Sequence, residues 1–192
     1  MGDNDIVLMA QLMRRAGFGA NREELEQRVA RGYAATVEEI LDTESAPPAN
    51  EWFLLRYHPS ALNPATVSPL GQANWMYHML NTRRPLEEKM ALFWHQVFAT
   101  GNAKVDNYPE LLSQISMFRR HGLGNYRSLL VELARDPAMI FWLDNNENHK
   151  HSVNENWGRE LLELFSMGVG NYTEEDVREA SRAFTGWTVA NA

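Results

Sequence analysis

One run of polar residues has the types and the spacing of a binding or acid–base site. Glu160 and Glu163 lie three positions apart, so on a helix their carboxylates share one face and can hold a metal ion or a proton together. Asn154 and Asn156 precede them where a helix is expected to start, and the free amides of a helix start favour an anion. Arg159 can stabilise a negative charge. We expect any functional site to be centred on these five residues.

The same residues also fit a purely structural role. Asn154 and Asn156 can cap the helix, and Arg159 can pair with Glu155 or Glu163 along one helix face. The position of Glu160, at the boundary between the polar and apolar faces, favours partial burial. Burial raises the pKa of a carboxyl group, which would make it useful as a base. The sequence alone leaves both interpretations open.

Residues elsewhere in the chain can contribute to such a site. His95 is a candidate general base or ligand, although it can equally be an ordinary hydrogen-bonded histidine. Arg14 can bind an anion, or it can simply interact with the negative end of its helix. His149 and His151, together with Glu160, would supply three of the four ligands of a zinc-like site, but an exposed loop explains the two histidines more simply. No definite metal site or cofactor is predicted.

Composition excludes several classes of function. The chain has no cysteine, which excludes thiolate zinc sites, iron–sulfur clusters and a cysteine nucleophile. Its 25 acidic and 18 basic residues give a net charge of -7, which argues against a nucleic-acid binder. No apolar run is long enough for a membrane helix, and no positively charged leader is visible. We expect a soluble chain without an export signal, cytoplasmic as given.

The elements that must position these residues are helices. Capping patterns recur along the chain, as at Asn21 with Glu24, and no segment alternates with a period of two. We predict an all-α fold with eight to ten helices and no sheet, in a single globular domain over residues 1–192. Residues 45–69 contain five prolines and are predicted to form a packed loop with a short helix around 52–57.

Two helices carry more specific predictions. In the helix Leu86–Ala99, Glu87 falls within an apolar arc, so we expect it to be largely buried and paired with an arginine. The leading candidates are Arg14, Arg15 and Arg159. In the helix that starts at Asn156, Gly158 is expected to let another helix approach closely. The last helix carries an apolar stripe that continues to the end of the chain. We expect this stripe to leave an exposed patch that promotes self-association. Its residues are Val177, Ala180, Phe184 and Trp187.

Nine short segments, spread from end to end of the chain, resemble the bacterial family of unknown function DUF1800 in the order in which that family carries them. They are Leu12–Gly19, Arg84–Met90, Phe93–His95, Asp136–Met139, Trp142–Asp144, Asn154–Asn156, Arg159–Phe165, Gly168–Glu174 and Thr185–Trp187. The resemblance implies a helical bacterial protein and covers about the first half of a typical member. The chain is therefore expected to be a fragment or a short form.

The resemblance also implies a partner and a compartment. Members are often encoded beside proteins of a second family, DUF1501, which resemble exported sulfatases or phosphatases, so a DUF1501-type partner and a cell-envelope role are expectations. One departure concerns Trp94-His95-Gln96-Val97-Phe98, where the family often has a second histidine. That change removes one histidine of a two-histidine site. Where the family often has Pro-Asn-Glu-Asn, this chain has Val153-Asn154-Glu155-Asn156.

Two functions from different classes are compatible with these observations. The first is a helical interaction or structural module that acts with a partner protein or with a C-terminal half. The second is a hydrolase-like enzyme, with or without a metal, whose polar pocket combines His95 and Arg14 with Glu160 and Glu163. Carboxylates of Glu87 and Glu160 that are both paired with buried arginines would favour the structural module. Carboxylates of Glu160 and Glu163 that meet His95 in an open cleft would favour the enzyme.

Overall fold

Helices make up most of the fold. The computed structural model describes residues 2–57 and 69–189, without the side chains of residues 53–55 and 69–70. Within these ranges there are twelve α-helices and no β-strand, and only an isolated bridge pairs His149 with Ser152. The helices are α1 (Asp3–Arg15), α2 (Arg22–Arg31), α3 (Tyr33–Leu41), α4 (Trp52–Tyr57), α5 (Pro69–Asn81), α6 (Pro85–Phe98), α7 (Asn102–Val105), α8 (Tyr108–His121), α9 (Tyr126–Arg135), α10 (Pro137–Trp142), α11 (Asn156–Glu163) and α12 (Glu174–Ala183).

The all-α prediction is confirmed. The described residues contain twelve α-helices, a number close to the predicted eight to ten, and α4, α7 and α10 are the shortest of them. The single-domain prediction for residues 1–192 and the packed loop at 45–69 stay predictions, since 58–68 and 190–192 lie outside the described residues.

Sequence signals fix most helix starts. The side chains of Asn21, Asn107, Asn125 and Asp136 each accept a hydrogen bond from a backbone N–H in the first turn of the following helix. Thr36 and Glu39 also have the spacing of a capping pattern, but α3 begins before Thr36. Thr36 is buried inside that helix, and its hydroxyl donates to the backbone of Gly32 instead of capping.

Two apolar clusters hold the described helices together. The larger joins α6, α8, α9, α10 and α11, and its fully buried members include Phe98, Phe118 and Leu133. The smaller joins α1, α2 and α3 through side chains such as Met9. Leu86, at the start of α6, packs against the smaller cluster. Helix α6 therefore contacts both clusters, and its orientation controls how they meet.

A buried ion pair sets the orientation of α6. Glu88 is only 2% exposed, and both of its carboxylate oxygens accept hydrogen bonds from Arg119 on α8, at 2.7 and 2.9 Å. Trp75 Nε1 on α5 donates to the same carboxylate at 2.6 Å. A buried carboxylate needs such partners, because burying an unpaired charge is costly. One carboxylate thus connects three helices.

Glu87 pairs with an arginine as predicted, but the partner and the depth of burial differ from the prediction. Glu87 is half-buried and pairs with Arg84 at 3.4 Å, not with Arg14, Arg15 or Arg159. The fully buried side chain is its neighbour Glu88. The apolar arc read from the sequence does not coincide with the packed face, because α8 approaches α6 on the side where Arg119 can neutralise a carboxylate. Phe93 and Val97, members of the predicted arc, are therefore exposed.

We expect Glu88→Gln to destabilise the fold by about 3–5 kcal/mol, because it leaves the Arg119 guanidinium buried without its counter-charge. Glutamine keeps the acceptor for Trp75, so the loss reports mainly on the charge. Glu87→Gln is the matched control, and its loss should stay below about 1 kcal/mol. Denaturant unfolding followed by circular dichroism gives both free energies. Equal losses of free energy of unfolding in Glu88→Gln and Glu87→Gln would contradict the assignment of Glu88 as the buried carboxylate that orients α6.

A second polar network lies between α8 and α10. The Thr100 hydroxyl donates to Gln114, and Gln114 Nε2 donates to Asp136 at 2.7 Å. Asp136 also accepts from Met139 N at 2.9 Å, as the cap of α10. Burial nevertheless raises the pKa of Asp136 from 3.8 to about 6. The ionised form is therefore less stable in the folded protein than in the unfolded chain.

The raised pKa of Asp136 predicts how stability changes with pH. Its contribution to folding is fully present below pH 3.8 and is lost as the pH rises through about 6. As the pH rises, the ionisation of Asp136 should lower the free energy of unfolding of the wild-type protein by up to about 3 kcal/mol. We expect Asp136→Asn, which keeps the oxygen that accepts both hydrogen bonds, to lack this loss. Urea unfolding of both proteins between pH 3.8 and about 6 measures the difference in their free energies of unfolding.

Asp176→Asn is the control with the opposite sign. Hydrogen bonds from Thr173 lower the pKa of the exposed Asp176, so its contribution is present at neutral pH and is lost as the pH falls. If the wild-type protein gained stability relative to Asp136→Asn as the pH rose from about 4 to 6, the role of Asp136 would be refuted.

Candidate functional site

A buried asparagine organises the segment that leads into α11. Asn148 is 1% exposed, and its Nδ2 donates to Asn145 Oδ1 at 3.1 Å and to the Ser181 carbonyl at 2.8 Å. Its Oδ1 accepts from Asn154 N at 3.0 Å. Asn154 Oδ1 in turn accepts from Asn156 N at 3.0 Å. The amides expected to orient a ligand are thus engaged in shaping the entry to the helix.

Asn156 and Lys104 connect this entry to the end of α10. Asn156 Nδ2 donates to Asp144 at 3.4 Å, and Lys104 Nζ donates to the other oxygen of Asp144 at 2.7 Å. Lys104 also donates to the Trp142 carbonyl at 2.7 Å. The short helix α7, which the sequence did not predict, brings Lys104 to this position.

Arg159 connects α11 to α12. Its guanidinium donates to the two oxygens of Glu174 at 3.0 and 2.7 Å and to Glu155 at 3.3 Å. These bonds raise the pKa of Arg159 and lower that of Glu174. The pair with Glu155 agrees with one of the two pairings inferred from the sequence, whereas Glu174 was not expected. The group proposed to stabilise an anion already has two carboxylate partners.

Gly158 lies where α11 and α12 approach most closely. A Cβ at this position would lie 2.9 Å from Ser181 N, closer than such atoms pack. The close approach allows Val177 and Ser181 of α12 to be fully buried. The expectation that Gly158 admits a second helix is confirmed.

The two candidate carboxylates of α11 differ in their surroundings. Glu163 accepts a hydrogen bond from the Tyr172 hydroxyl at 2.8 Å. Glu160 accepts none from any described residue, and its pKa is raised by partial burial and by the nearby charge of Glu163. Glu160 is therefore the member of this pair whose oxygens stay available.

The other predicted contributors lie on different elements. Arg14 is exposed on the last turn of α1, a helix whose buried side chains pack against α2 and α3. His95 lines a cavity whose other described walls come from α5, α7, α8 and residues 100–101. His149 and His151 are exposed. Within residues 2–57 and 69–189, no three His, Cys, Asp or Glu side chains are grouped to hold a metal ion.

A second feature of this region is an apolar groove that sequence analysis missed. The α9–α11 groove encloses about 310 Å³ between α9, α11 and the residues after α12. Phe184 packs on Trp157 with 5.7 Å between ring centroids, and Trp187 packs on Phe184. Arg127 and Arg135 border it. The lining residues are Arg127, Leu130, Val131, Ala134, Arg135, Trp157, Leu161, Phe184 and Trp187.

The sequence did contain a signal for this groove. Residues 129–134 of α9 carry apolar side chains at every position except Glu132, which is more than one packed face requires. Leu129 and Leu133 fill the core, and Val131 is left 42% exposed. The apolar stripe predicted on α12 differs in extent, since Val177 is fully buried and Trp187 is the exposed end.

The described residues form an all-helical protein in which ion pairs link near neighbours along a helix and also residues of different helices. A family model described as a protein of unknown function (DUF1800) matches residues 11–192, and the chain belongs to this family. Searches of curated proteins and of solved structures each found no match. Among the described residues, no helix is both long enough and apolar enough to span a membrane.

We expect Glu160→Gln to leave stability at neutral pH unchanged or higher, because no hydrogen bond from a described residue is lost and repulsion from Glu163 is relieved. The raised pKa of Glu160 means that its contribution is lost as the pH rises, so the variant should gain relative to the wild-type protein between acidic and neutral pH. Thermal unfolding of the variant and of the wild-type protein, at acidic and at neutral pH, measures this difference in stability. A variant destabilised at neutral pH would identify Glu160 as a structural residue.

Proposed function

We propose that this protein is a helical interaction module that binds an amphipathic, acidic polypeptide segment in the α9–α11 groove. The observation that carries the proposal is an apolar groove that is open at the surface and bordered by two arginines. A groove of this kind suits a helix that lays its apolar stripe along the floor. The acidic residues of that helix would face the arginines.

Apolar contact supplies the first support. Trp187 is 36% exposed and Val131 is 42% exposed, so both retain surface that a partner can cover. Tryptophan is enriched among residues that dominate binding energy, because it offers a large, rigid apolar face. Trp157 lies at the base of the groove, and its buried Nε1 has no hydrogen-bond partner among the described residues.

Charge complementarity determines the kind of partner. Arg127 makes no ion pair with any described residue, and Arg135 pairs only with its exposed neighbour Glu132, at 3.3 Å. A contact of this exposed kind contributes little to stability, so it can exchange for a partner's carboxylate. The protein as a whole carries a net charge of -7, which makes two arginines beside an apolar groove a local departure. An acidic segment is therefore favoured over a basic one.

The earlier expectations about partners stay predictions. The candidates are a DUF1501-type protein, a C-terminal half and a second copy of this chain. The chemistry of the groove requires only that the segment be apolar on one face and acidic at its edges. The peptide experiment tests this chemistry, and self-association of the chain tests the second copy.

A matched pair of peptides tests the proposal. Two amphipathic helical peptides of about five turns carry the same leucine stripe, one with glutamate and one with lysine on the polar face. Titration into the full chain, followed by calorimetry, should show the glutamate peptide binding at least about tenfold more tightly. Its affinity should fall as salt is added, because the arginines lie at an exposed edge.

Two valine substitutions separate the groove from the rest of the surface. Val131→Glu places a charge on the groove and should weaken binding by at least about tenfold. Val7→Glu is the matched control, since Val7 is an exposed helical valine on α1, 60% accessible, and binding should be unchanged. Equal effects of the two substitutions, or equal affinities for the two peptides, would refute the proposal. Self-association lost in Val131→Glu alone would assign the groove to a second copy instead.

The hydrolase-like alternative rests on Glu160. Its carboxylate has no hydrogen-bond donor among the described residues and its pKa is raised, as a general base requires. Against this, Arg159 and Glu163 already have partners, and His95 lines a separate cavity. Hydrolysis of p-nitrophenyl acetate or p-nitrophenyl phosphate that is lost in a folded Glu160→Gln variant would favour the enzyme.

A further inference from the structure

A small cavity lies between α5, α6 and α8, away from the α9–α11 groove. It encloses about 270 Å³, below the usual range for drug-sized ligands. Leu111, Leu112 and Ile115 of α8 supply apolar lining, and the rings of Trp75 and His95 line the cavity as well. The size and the walls suit a compound of about one ring.

His95 is held against Trp75 without a hydrogen bond. The two rings meet edge to face with 5.0 Å between their centroids. His95 Nδ1 is fully buried and has no partner in the described part of the chain. Burial lowers the pKa of His95, so the imidazole is neutral at physiological pH. Since Nδ1 has no acceptor nearby, the proton is better placed on Nε2, which then serves as a donor.

The Trp75 wall is fixed in place. Trp75 Nε1 donates to Glu88 at 2.6 Å, and Arg119 holds Glu88 through two further bonds. The indole cannot turn without breaking a buried charge-assisted bond. A ring that enters the cavity therefore meets a rigid aromatic surface, which reduces the entropy lost on binding.

The polar groups of the cavity determine the charge of the ligand. No Asp, Glu, Lys or Arg is among the described residues that line it, so a charged ligand would lose its hydration without finding a counter-charge there. Thr100 is already bonded to Gln114. The side chains of Gln72 and Asn102 make no hydrogen bond to any described residue. Amides and a neutral imidazole favour an uncharged oxygen group.

We infer that this cavity binds a small, uncharged aromatic compound that carries a hydroxyl group, of the phenol type. Its ring packs between Trp75 and the apolar side chains of α8, and its oxygen accepts a hydrogen bond from His95. The amides of Gln72 and Asn102 offer a carbonyl oxygen to the hydroxyl proton. The site is independent of the α9–α11 groove and of the proposed function.

Three probes of similar shape test this inference on the full chain. They are p-cresol, toluene and p-toluate, which share a methyl-substituted ring and differ in the polar group. We expect p-cresol to bind about five- to tenfold more tightly than toluene, the effect of one hydrogen bond, and p-toluate to bind most weakly. Ligand-detected NMR gives the affinities, and the ¹⁵N resonances of His95 report whether its imidazole is contacted.

Variants distinguish this cavity from general adhesion. His95→Leu should remove the preference for p-cresol over toluene, and Leu112→Trp should weaken both by narrowing the cavity. His151→Leu, at an exposed histidine, is the matched control and should change nothing. Circular dichroism verifies folding, and if His95→Leu does not fold, Leu112→Trp and the His95 resonances decide. The inference would be overturned if p-cresol did not bind to the wild-type protein. It would also be overturned if Leu112→Trp bound p-cresol as tightly as the wild-type protein does, or if p-cresol left the His95 resonances unshifted.

Discussion

The contact between Glu88 and Arg119 is the constraint on which the rest of the structure depends. A carboxylate this deeply buried is tolerated only when its charge and lone pairs are satisfied. Arg119 and Trp75 do both, and in doing so they fix α5 and α8 relative to α6. Because α6 contacts both apolar clusters, the same contact sets how the amino-terminal helices meet the larger core. The positive charge of Arg119 also affects a neighbouring histidine, since burial and this charge lower the pKa of His78.

Much of the fold could be predicted because it is encoded locally. The caps of α2 and α12 depend on residues three positions apart, so a short window of sequence contains the whole signal. The role of Gly158 was also visible, since a glycine within an apolar face is typical of close helix packing. Glu88 could not be distinguished from Glu87 in this way. Its partner Arg119 lies 31 positions away, and the periodicity of a helix does not show which side another helix will cover.

The candidate site was predictable to a smaller extent for the same reason. The pair between Arg159 and Glu155 is one turn of helix long and was expected, whereas Glu174 reaches Arg159 only because α12 folds back on α11. The α9–α11 groove requires three separate parts of the chain, so no single segment displays it. The availability of Glu160 likewise follows from what surrounds it, a property that composition and spacing do not determine.

The distribution of polar partners also bears on function. Among the polar groups that suggested chemistry, Asn156, Arg159 and Glu163 are engaged with neighbouring parts of the chain. Glu160 is the exception, since it accepts no hydrogen bond from a described residue. A group engaged in holding two helices together is preorganised but has little capacity left for a ligand. The buried nitrogens without partners are of a different kind, those of His95 and Trp157, and both lie beside apolar space. Recognition of apolar surfaces, with a few polar groups at their edges, therefore fits this structure better than chemistry at a charged cluster.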